Sequence, residues 1–128
     1  MIPLHNHQPP MIAAATKHYT KLAALCTLFA ITAGILIGYQ PTGAGWRLFS
    51  YHPLLMITGF VGCMGNAALV KKLGGYKNTK IHAGLTMAGL ILAIFGGYAI
   101  YRNKENMGKS HLTSLHSKMG FGALVMSM

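Results

Sequence analysis

The chain has 128 residues, enough for one domain. Apolar residues make up 52% of it and charged residues only 9%, against roughly 25% charged in ordinary soluble domains. Eleven Lys and Arg side chains against one acid give a formal net charge of +10. Because this number of charges cannot cover the surface of a water-soluble domain, the composition excludes a soluble protein and indicates a membrane protein. The excess positive charge then indicates contact with anionic lipid, and we expect no nucleic-acid partner because the basic residues lie in short loops.

Apolar runs divide the chain into a tail and a membrane domain. Residues 1–21 are predicted to be a short cytoplasmic tail and residues 22–128 to form the domain. The predicted spans are residues 22–39, 53–70, 81–101 and, incompletely, 116–128. The last run gives about 20 Å of helix, too short for a hydrocarbon core of about 30 Å. We therefore predict an all-α, multi-pass transmembrane helical bundle with three full spans and the start of a fourth, truncated from a longer protein.

Local signals refine the first two spans. Ala30, Gly34 and Gly38 recur every four residues, which predicts a face where a neighbouring helix packs closely. The segment Gln40–Ser50 holds Pro41, Gly43 and Gly45 and is predicted to be a connecting loop. Pro53 is expected in the first turn of the second span, where its missing N–H costs nothing.

Basic residues predict the orientation of the spans. The tail and the second-to-third loop carry six of them, and the opposite side carries four or five. The positive-inside rule places the N-terminus in the cytoplasm. We expect a multi-pass protein of an endomembrane, in the endoplasmic reticulum or a vesicle.

Three histidines stand at the heads of apolar runs. Ionisable groups at membrane depth are rare and usually functional. Because successive spans run antiparallel, His52 and His116 are expected at one depth on the non-cytoplasmic side. His82 is expected near the cytoplasmic side, where it needs a partner that these residues do not supply.

Paired histidines with almost no acids favour a particular cofactor. Zinc usually takes four protein ligands, or three and a water, and di-iron sites need several carboxylates, whereas the chain has only Glu105. A haem needs only two axial imidazoles. A b-type haem therefore suits His52, His82 and His116 best. The alternatives are a zinc-binding membrane protein and a non-enzymatic assembly or transport subunit whose histidines are interfacial.

Small residues continue from two of the histidines at helical spacing. We interpret them as room for a flat macrocycle, with ordinary helix contacts as the alternative. They are Met56, Gly59, Cys63 and Asn66 after His52, and Thr86, Gly89, Ala93 and Gly96 after His82.

Loop residues near each predicted site have two interpretations. Lys77 and Lys80 lie close to His82 and could hold a small anionic electron donor, or could set topology and bind lipid. Lys109 and His111 lie near the His52 and His116 site and could face an electron acceptor, or could belong to a solvated loop.

Four motifs together resemble the cytochrome b561 family, in particular the branch called cytochrome b561 domain-containing proteins. They are Phe49-Ser50-Tyr51-His52-Pro53-Leu54-Leu55-Met56, Gly65-Asn66-Ala67-Ala68-Leu69-Val70, Lys80-Ile81-His82-Ala83-Gly84-Leu85 and Lys109-Ser110-His111-Leu112-Thr113-Ser114-Leu115-His116. The resemblance implies six spans, two b haems and transmembrane electron transfer from cytoplasmic ascorbate to monodehydroascorbate or ferric iron.

Residue by residue, the resemblance matches His52 and His116 to one axial pair and His82 to half of the other. Lys80 matches a basic residue associated with the ascorbate site. The implied activity is that of an ascorbate-dependent oxidoreductase of the ferrireductase type. The sequence leaves a homodimer open.

Overall fold

A computed structural model describes residues 10–39 and 45–128, with side chains from Thr16 onward in the first segment. The described residues form four helices and no strand: α1 (Pro10–Tyr39), α2 (Leu48–Lys72), α3 (Tyr76–Asn106) and α4 (Leu115–Met126). Three helical segments are long and apolar enough to cross a membrane: Thr16–Tyr39, Leu48–Lys72 and Tyr76–Asn106. These helices confirm the predicted all-α, multi-pass membrane bundle.

The helices extend beyond the apolar runs that predicted them. Helix α1 begins at Pro10, inside the predicted tail, and α3 runs for 31 residues. Apolar runs measure the hydrocarbon thickness, whereas a helix can continue into the headgroup layer because its backbone bonds are satisfied internally. Residues 1–9 of the predicted tail and 40–44 of the predicted loop lie outside the described residues. The division into tail and membrane domain stays a prediction.

The start of α2 differs from the prediction. The helix begins at Leu48, so Pro53 lies inside it rather than in its first turn, and that expectation was wrong. Ser50 explains the early start: its buried hydroxyl accepts the Arg47 N–H at 3.0 Å and thereby helps to fix the first turn.

Small residues bring α1 against α2. Ala30 is fully buried, and Gly34 and Gly38 are buried on the same face. A Cβ at Gly34 would lie 3.0 Å from the Leu54 Cα, and one at Gly38 would lie 2.9 Å from the Ser50 carbonyl oxygen. The predicted close-packing face of α1 is therefore confirmed.

Helices α2 and α3 touch backbone to backbone at Gly59 and Gly89. A Cβ on either glycine would lie 2.7 Å from the carbonyl oxygen of the other. The space beside Gly96 is also occupied, because a Cβ added there would lie 3.1 Å from the Met56 side chain. The interpretation of these glycines as room for a macrocycle was wrong: facing helices occupy that space, as small residues in membrane helices allow.

Helix α2 changes its hydrogen-bonding pattern in its middle. It is α-helical over Leu48–Ile57, π-helical over Thr58–Met64 and α-helical again over Gly65–Lys72. Such π-helical turns are rare and occur often at functional sites. Gly59 and Gly62 are buried within this segment, so the wider turn lies against the neighbouring helices.

Helix α4 packs loosely against α3. It has no buried residue, and Leu124 reaches to 3.8 Å from the position of a Cβ on Gly97. Its start is capped by Ser114, whose hydroxyl oxygen accepts the Ser117 N–H at 3.2 Å. The preceding loop includes Leu112 with φ of 51°, a left-handed conformation that is uncommon for leucine. Loose packing leaves a cleft between α4 and the other helices.

Candidate functional site: a cleft lined by histidines

The cleft beside α4 has a volume of about 560 Å³, within the usual range for ligand pockets. We call it the histidine cleft. Its histidines are His52 of α2, His111 of the preceding loop and His116 of α4. The other lining residues are Met56, Ile94, Gly97, Tyr98, Ile100, Tyr101, Lys104, Leu112, Ser117, Gly120, Phe121 and Leu124. Most of them are apolar, so a ligand here would be shielded from water over much of its surface.

His52 and His116 lie opposite each other in this cleft. Their ring centroids are 6.3 Å apart, and the ring planes make an angle of 87°. A metal–nitrogen bond is about 2 Å long, and the centre of an imidazole ring lies about 1.1 Å behind its nitrogen. Two imidazoles on opposite sides of one metal ion therefore have ring centroids about 6 Å apart. The structure thus brings the two residues to the separation that one shared metal ion would require.

A backbone contact orients His52. Its Nδ1 lies 2.9 Å from the carbonyl oxygen of Gly96 on α3. Because a carbonyl only accepts hydrogen bonds, Nδ1 donates its proton, and Nε2 is left with a lone pair. Metal-binding histidines commonly make this second contact, which fixes the ring and its tautomer. His52 is therefore held as a ligand would be.

His116 is held less firmly than His52. His116 is exposed, and its ring contacts the ring of His52. Within residues 10–39 and 45–128, no hydrogen bond orients this ring. The loose packing of α4 explains the difference, because it leaves no backbone carbonyl of another helix beside His116.

His82 makes the same backbone contact as His52 at the other end of the α2–α3 pair. Its Nδ1 lies 2.9 Å from the Ala67 carbonyl oxygen of α2. The ring is half-buried, and Nε2 again keeps its lone pair. Among the described residues, His82 has no ring contact with another histidine. The structure therefore places it apart from His52 and His116.

The two lysines predicted near His82 lie on the first turns of α3 and are exposed. The Nζ of Lys80 lies 4.6 Å from the centroid of the Tyr76 ring, a cation–π contact that fixes the direction of the side chain. Lys77 shares this end of the helix. Both lysines therefore lie on the side of the membrane where His82 is found.

The two residues predicted for the acceptor side, His111 and Lys109, line different clefts. His111 lines the histidine cleft, stacks on Tyr101 with ring centroids 4.6 Å apart, and has its Nε2 3.6 Å from Glu105. Lys109 lines a neighbouring cleft with Lys104. Glu105 also lies 3.7 Å from Arg102, so the only acid of the chain is already surrounded by basic groups.

Comparison with known proteins identifies the family. The family model for eukaryotic cytochrome b561 matches residues 51–128. The chain belongs to the cytochrome b561 family. It is 37% identical to the plasma membrane ascorbate-dependent reductase CYBRD1 of Mus musculus over 94 residues, which is 66% of this chain and 32% of the relative. It is 33% identical to the transmembrane ascorbate-dependent reductase CYB561 of Homo sapiens over 121 residues, 88% of this chain and 48% of the relative.

A lysosomal relative is also similar. The lysosomal membrane ascorbate-dependent ferrireductase CYB561A3 of Mus musculus is 30% identical over 115 residues, 82% of this chain and 46% of the relative. The chain spans about a third to a half of the length of these curated relatives. No solved structure matches it significantly. The predicted family is confirmed, and the domain-containing branch within it stays a prediction.

The described residues of this cytochrome b561 chain fit a haem better than a bare metal ion. Among them, no group of three His, Cys, Asp or Glu side chains could hold a metal ion together. Structural zinc needs four ligands and catalytic zinc usually three. A porphyrin brings four nitrogens of its own, so two further ligands such as His52 and His116 would be enough to hold its iron.

Several lining residues of the cleft are absent from the sequence-based prediction. They include Gly97 and Gly120, which line the cleft without side chains, and Tyr101 and Lys104. Gly120 follows His116 by four residues, so helical spacing from that histidine could have found it. Tyr101 and Lys104 carry no comparable signal, because their place depends on how α3 packs against α4.

Proposed function

We propose that this chain provides the N-terminal part of a b-type haem protein that moves electrons from ascorbate across a membrane. The single observation that carries the proposal is the facing pair His52 and His116, 6.3 Å apart between ring centroids. Family membership supports it, because the similar proteins are named ascorbate-dependent reductases. That the chain acts as a transmembrane oxidoreductase of the ferrireductase type is part of this proposal.

His52 and His116 would hold one haem b through their Nε2 atoms. When bound, the haem supplies a one-electron carrier whose chemistry belongs to the cofactor. The residues of the chain hold neutral imidazoles in place: the Gly96 carbonyl keeps the Nδ1 proton of His52 directed away from the cleft. The apolar walls exclude water, so little solvent has to reorganise when charge changes. A haem site of this kind favours rapid, reversible electron transfer.

His82 would supply half of a second haem site. Its Nδ1 is bound to the Ala67 carbonyl, which keeps Nε2 available. The second ligand would come from a residue outside this chain's 128. Two haems, with His82 near the cytoplasmic surface and the facing pair near the opposite one, complete the proposed pathway.

The donor and acceptor are assigned to opposite ends of the bundle. Lys77 and Lys80, at the end that carries His82, would bind ascorbate by its negative charge. Lys109 and His111, near the facing pair, would meet the acceptor, monodehydroascorbate or ferric iron. We place the N-terminus in the cytoplasm and the protein in an endomembrane, and a homodimer is compatible with these assignments.

The experiment that tests this proposal is an optical titration. The purified protein, and the longer protein that would contain it, should show the Soret band of a six-coordinate haem, and that band should shift and sharpen on addition of ascorbate. Metal binding without colour would instead favour a zinc-binding membrane protein. Absence of both would favour a non-enzymatic assembly or transport subunit, and would overturn the proposal.

A further inference from the structure

Helices α2 and α3 run antiparallel and touch at three points along their length. The two outer contacts are hydrogen bonds from a histidine of one helix to a backbone carbonyl of the other, and the middle contact joins two glycines. The contacting pairs are His52 with Gly96, Gly59 with Gly89, and His82 with Ala67. Each histidine is therefore followed along its own helix by a glycine and then by the carbonyl that receives the other histidine. An approximate two-fold axis through the glycine contact relates the two helices.

The spacing of these contacts differs between the two helices. On α3 the glycine follows the histidine by seven residues, and the carbonyl follows the glycine by seven more. On α2 the first interval is also seven residues, but Ala67 follows Gly59 by eight. Seven residues make about two turns of an α-helix, so equal intervals keep successive contacts on one face. In a plain α-helix the eighth residue would turn the Ala67 carbonyl about 100° away from α3.

The π-helical segment Thr58–Met64 overlaps the longer interval. At its end the Gly65 N–H donates to the carbonyl of Phe60, five residues back, which is the π-helical pattern. A π-helical turn holds about one residue more than an α-helical turn. The segment therefore takes up the eighth residue, and the Ala67 carbonyl returns to the face of α2 that meets His82.

Side chains supply hydrogen bonds to the carbonyls of this wider turn. In an α-helix the Val61 carbonyl would receive the N–H of the fourth residue after it, which here is directed to other carbonyls. The Cys26 thiol of α1 donates to the Val61 carbonyl at 3.0 Å instead. The Asn66 amide donates to the Gly62 carbonyl at 2.7 Å and to the Thr27 hydroxyl of α1 at 2.8 Å. These donors stabilise the wide form of the segment, because carbonyls buried in a membrane need partners.

We propose that the π-helical segment orients His82, and that Asn66 is the positioning residue that holds the segment in its wide form. Because the segment absorbs one residue of α2, His82 can reach the Ala67 carbonyl while His52 reaches the Gly96 carbonyl. The inference concerns the orientation of two imidazoles in the chain without cofactor. Its consequence for a second haem at His82 rests on the proposed function.

The tautomer of each imidazole reports these contacts without haem. A histidine that donates from Nδ1 to a carbonyl keeps its proton there, whereas a free imidazole in water prefers to carry the proton on Nε2. Proton–nitrogen correlation NMR of the 128-residue chain in micelles distinguishes the two tautomers in mildly alkaline solution, where the imidazoles are neutral. We expect His52 and His82 to carry the proton on Nδ1. His18, on the exposed surface of α1, should carry it on Nε2 and serves as the internal reference.

Deletion of Val61 tests whether the segment sets the register. Of the seven residues of the segment, all of which the structure describes, Val61 alone is exposed, so its removal takes no packed side chain from either neighbouring helix. Without it Ala67 follows Gly59 by seven residues, as Gly96 follows Gly89, and a plain α-helix satisfies both ends. We expect both histidines to keep the proton on Nδ1. Loss of either Nδ1 signal, or failure of this variant to fold, would overturn the proposal.

Deletion of Ile91 is the matched control. Ile91 follows His82 by nine residues, as Val61 follows His52, and it is exposed as well. It lies in a helix that is α-helical throughout, so its removal leaves six residues where the contacts need seven. We expect at least one of the two histidines to lose its Nδ1 proton to Nε2. Retention of both Nδ1 signals would show that helix register does not govern these contacts, and would overturn the proposal.

Asn66→Leu tests the positioning residue. In the otherwise unchanged chain it removes the donor to the Gly62 carbonyl, so we expect the Nδ1 signal of His82 to be lost and that of His52 to remain. In the chain that lacks Val61, which needs no wide turn, the same substitution should leave both signals. Equal effects in the two chains would overturn the assignment of Asn66. The expected tautomers in a longer protein that takes up no haem would overturn the proposed function and leave this inference standing.

Discussion

His52 and His82 make the same hydrogen bond from opposite ends of one helix pair. His52 on α2 donates to the Gly96 carbonyl of α3, and His82 on α3 donates to the Ala67 carbonyl of α2, both at 2.9 Å. Gly96 follows His82 by fourteen positions along α3, or about 21 Å of helix. The two helices thus orient one imidazole each, at opposite ends of the helix pair.

The proposed haem pairing predicts that haem content depends on His116. In the proposed function His116 and His52 would together hold one haem, so we expect His116→Ala to lose nearly all haem from the 128-residue chain and about half from a longer protein with two sites. Haem per protein would be measured as the pyridine haemochrome. His18→Ala, on the exposed surface of α1, is the matched control and should keep its haem. Full haem content in the His116 variant would contradict the pairing.

The Gly59–Gly89 contact should be sensitive to a single methyl group. In Gly89→Ala the new Cβ would meet the Gly59 carbonyl oxygen at 2.7 Å, and a backbone cannot move aside as a side chain can. We expect a loss of about 1–3 kcal/mol in the free energy of unfolding, measured by denaturation in mixed micelles. Gly84→Ala on the same helix is the control, because no atom lies within 4 Å of its Cβ position. Equal effects in both variants would mean that the two backbones do not touch.

Leu112 offers a stabilising substitution. Its φ of 51° is costly for a leucine, whereas asparagine tolerates this conformation better. Leu112→Asn should raise the free energy of unfolding by up to about 1 kcal/mol, because asparagine relieves the backbone strain. Leu115→Asn, at an exposed position of α4 with ordinary φ, should bring no gain. A loss of stability at position 112 would show that contacts of the leucine side chain with the cleft outweigh the backbone strain.

The lysines at the start of α3 should affect the donor but not the cofactor. The double variant Lys77→Gln, Lys80→Gln should raise the KM for ascorbate several-fold in the longer protein, because two positive charges are lost where the anion would bind. The haem spectrum should stay unchanged. Lys21→Gln removes a charge from the same side of the membrane and serves as the control. An unchanged KM in the double variant would leave these lysines with topology and lipid contacts alone.

Sequence reasoning predicted three long apolar helices and the closeness of His52 and His116 because both follow from local patterns. Apolar length marks a membrane helix, and antiparallel connection places His52 and His116 on one side. The packing face of α1 was also predictable, since Ala30, Gly34 and Gly38 repeat with helical spacing. Each of these signals lies within one helix or depends only on the order of the helices.

The remaining features depend on how the helices rotate against each other. Periodicity marks Gly59 and Gly89 as small, but it cannot tell whether a cofactor or another backbone fills the adjoining space. The convergence of Arg47 with Lys104 on one cleft likewise needs the tertiary fold, because 56 residues lie between them in the sequence. Contacts of this kind depend on packing between helices, and no local pattern in the sequence predicts them.

The π-helical segment Thr58–Met64 has a consequence for sequence alignment. A π-helical turn holds about one residue more than an α-helical turn, so the segment is equivalent to an insertion that the helix absorbs without a loop. Residues after Met64 are turned relative to those before Thr58, compared with an uninterrupted α-helix. Relatives with a plain α-helix here should therefore align with a one-residue gap inside the span, between the histidine at its head and the asparagine near its close.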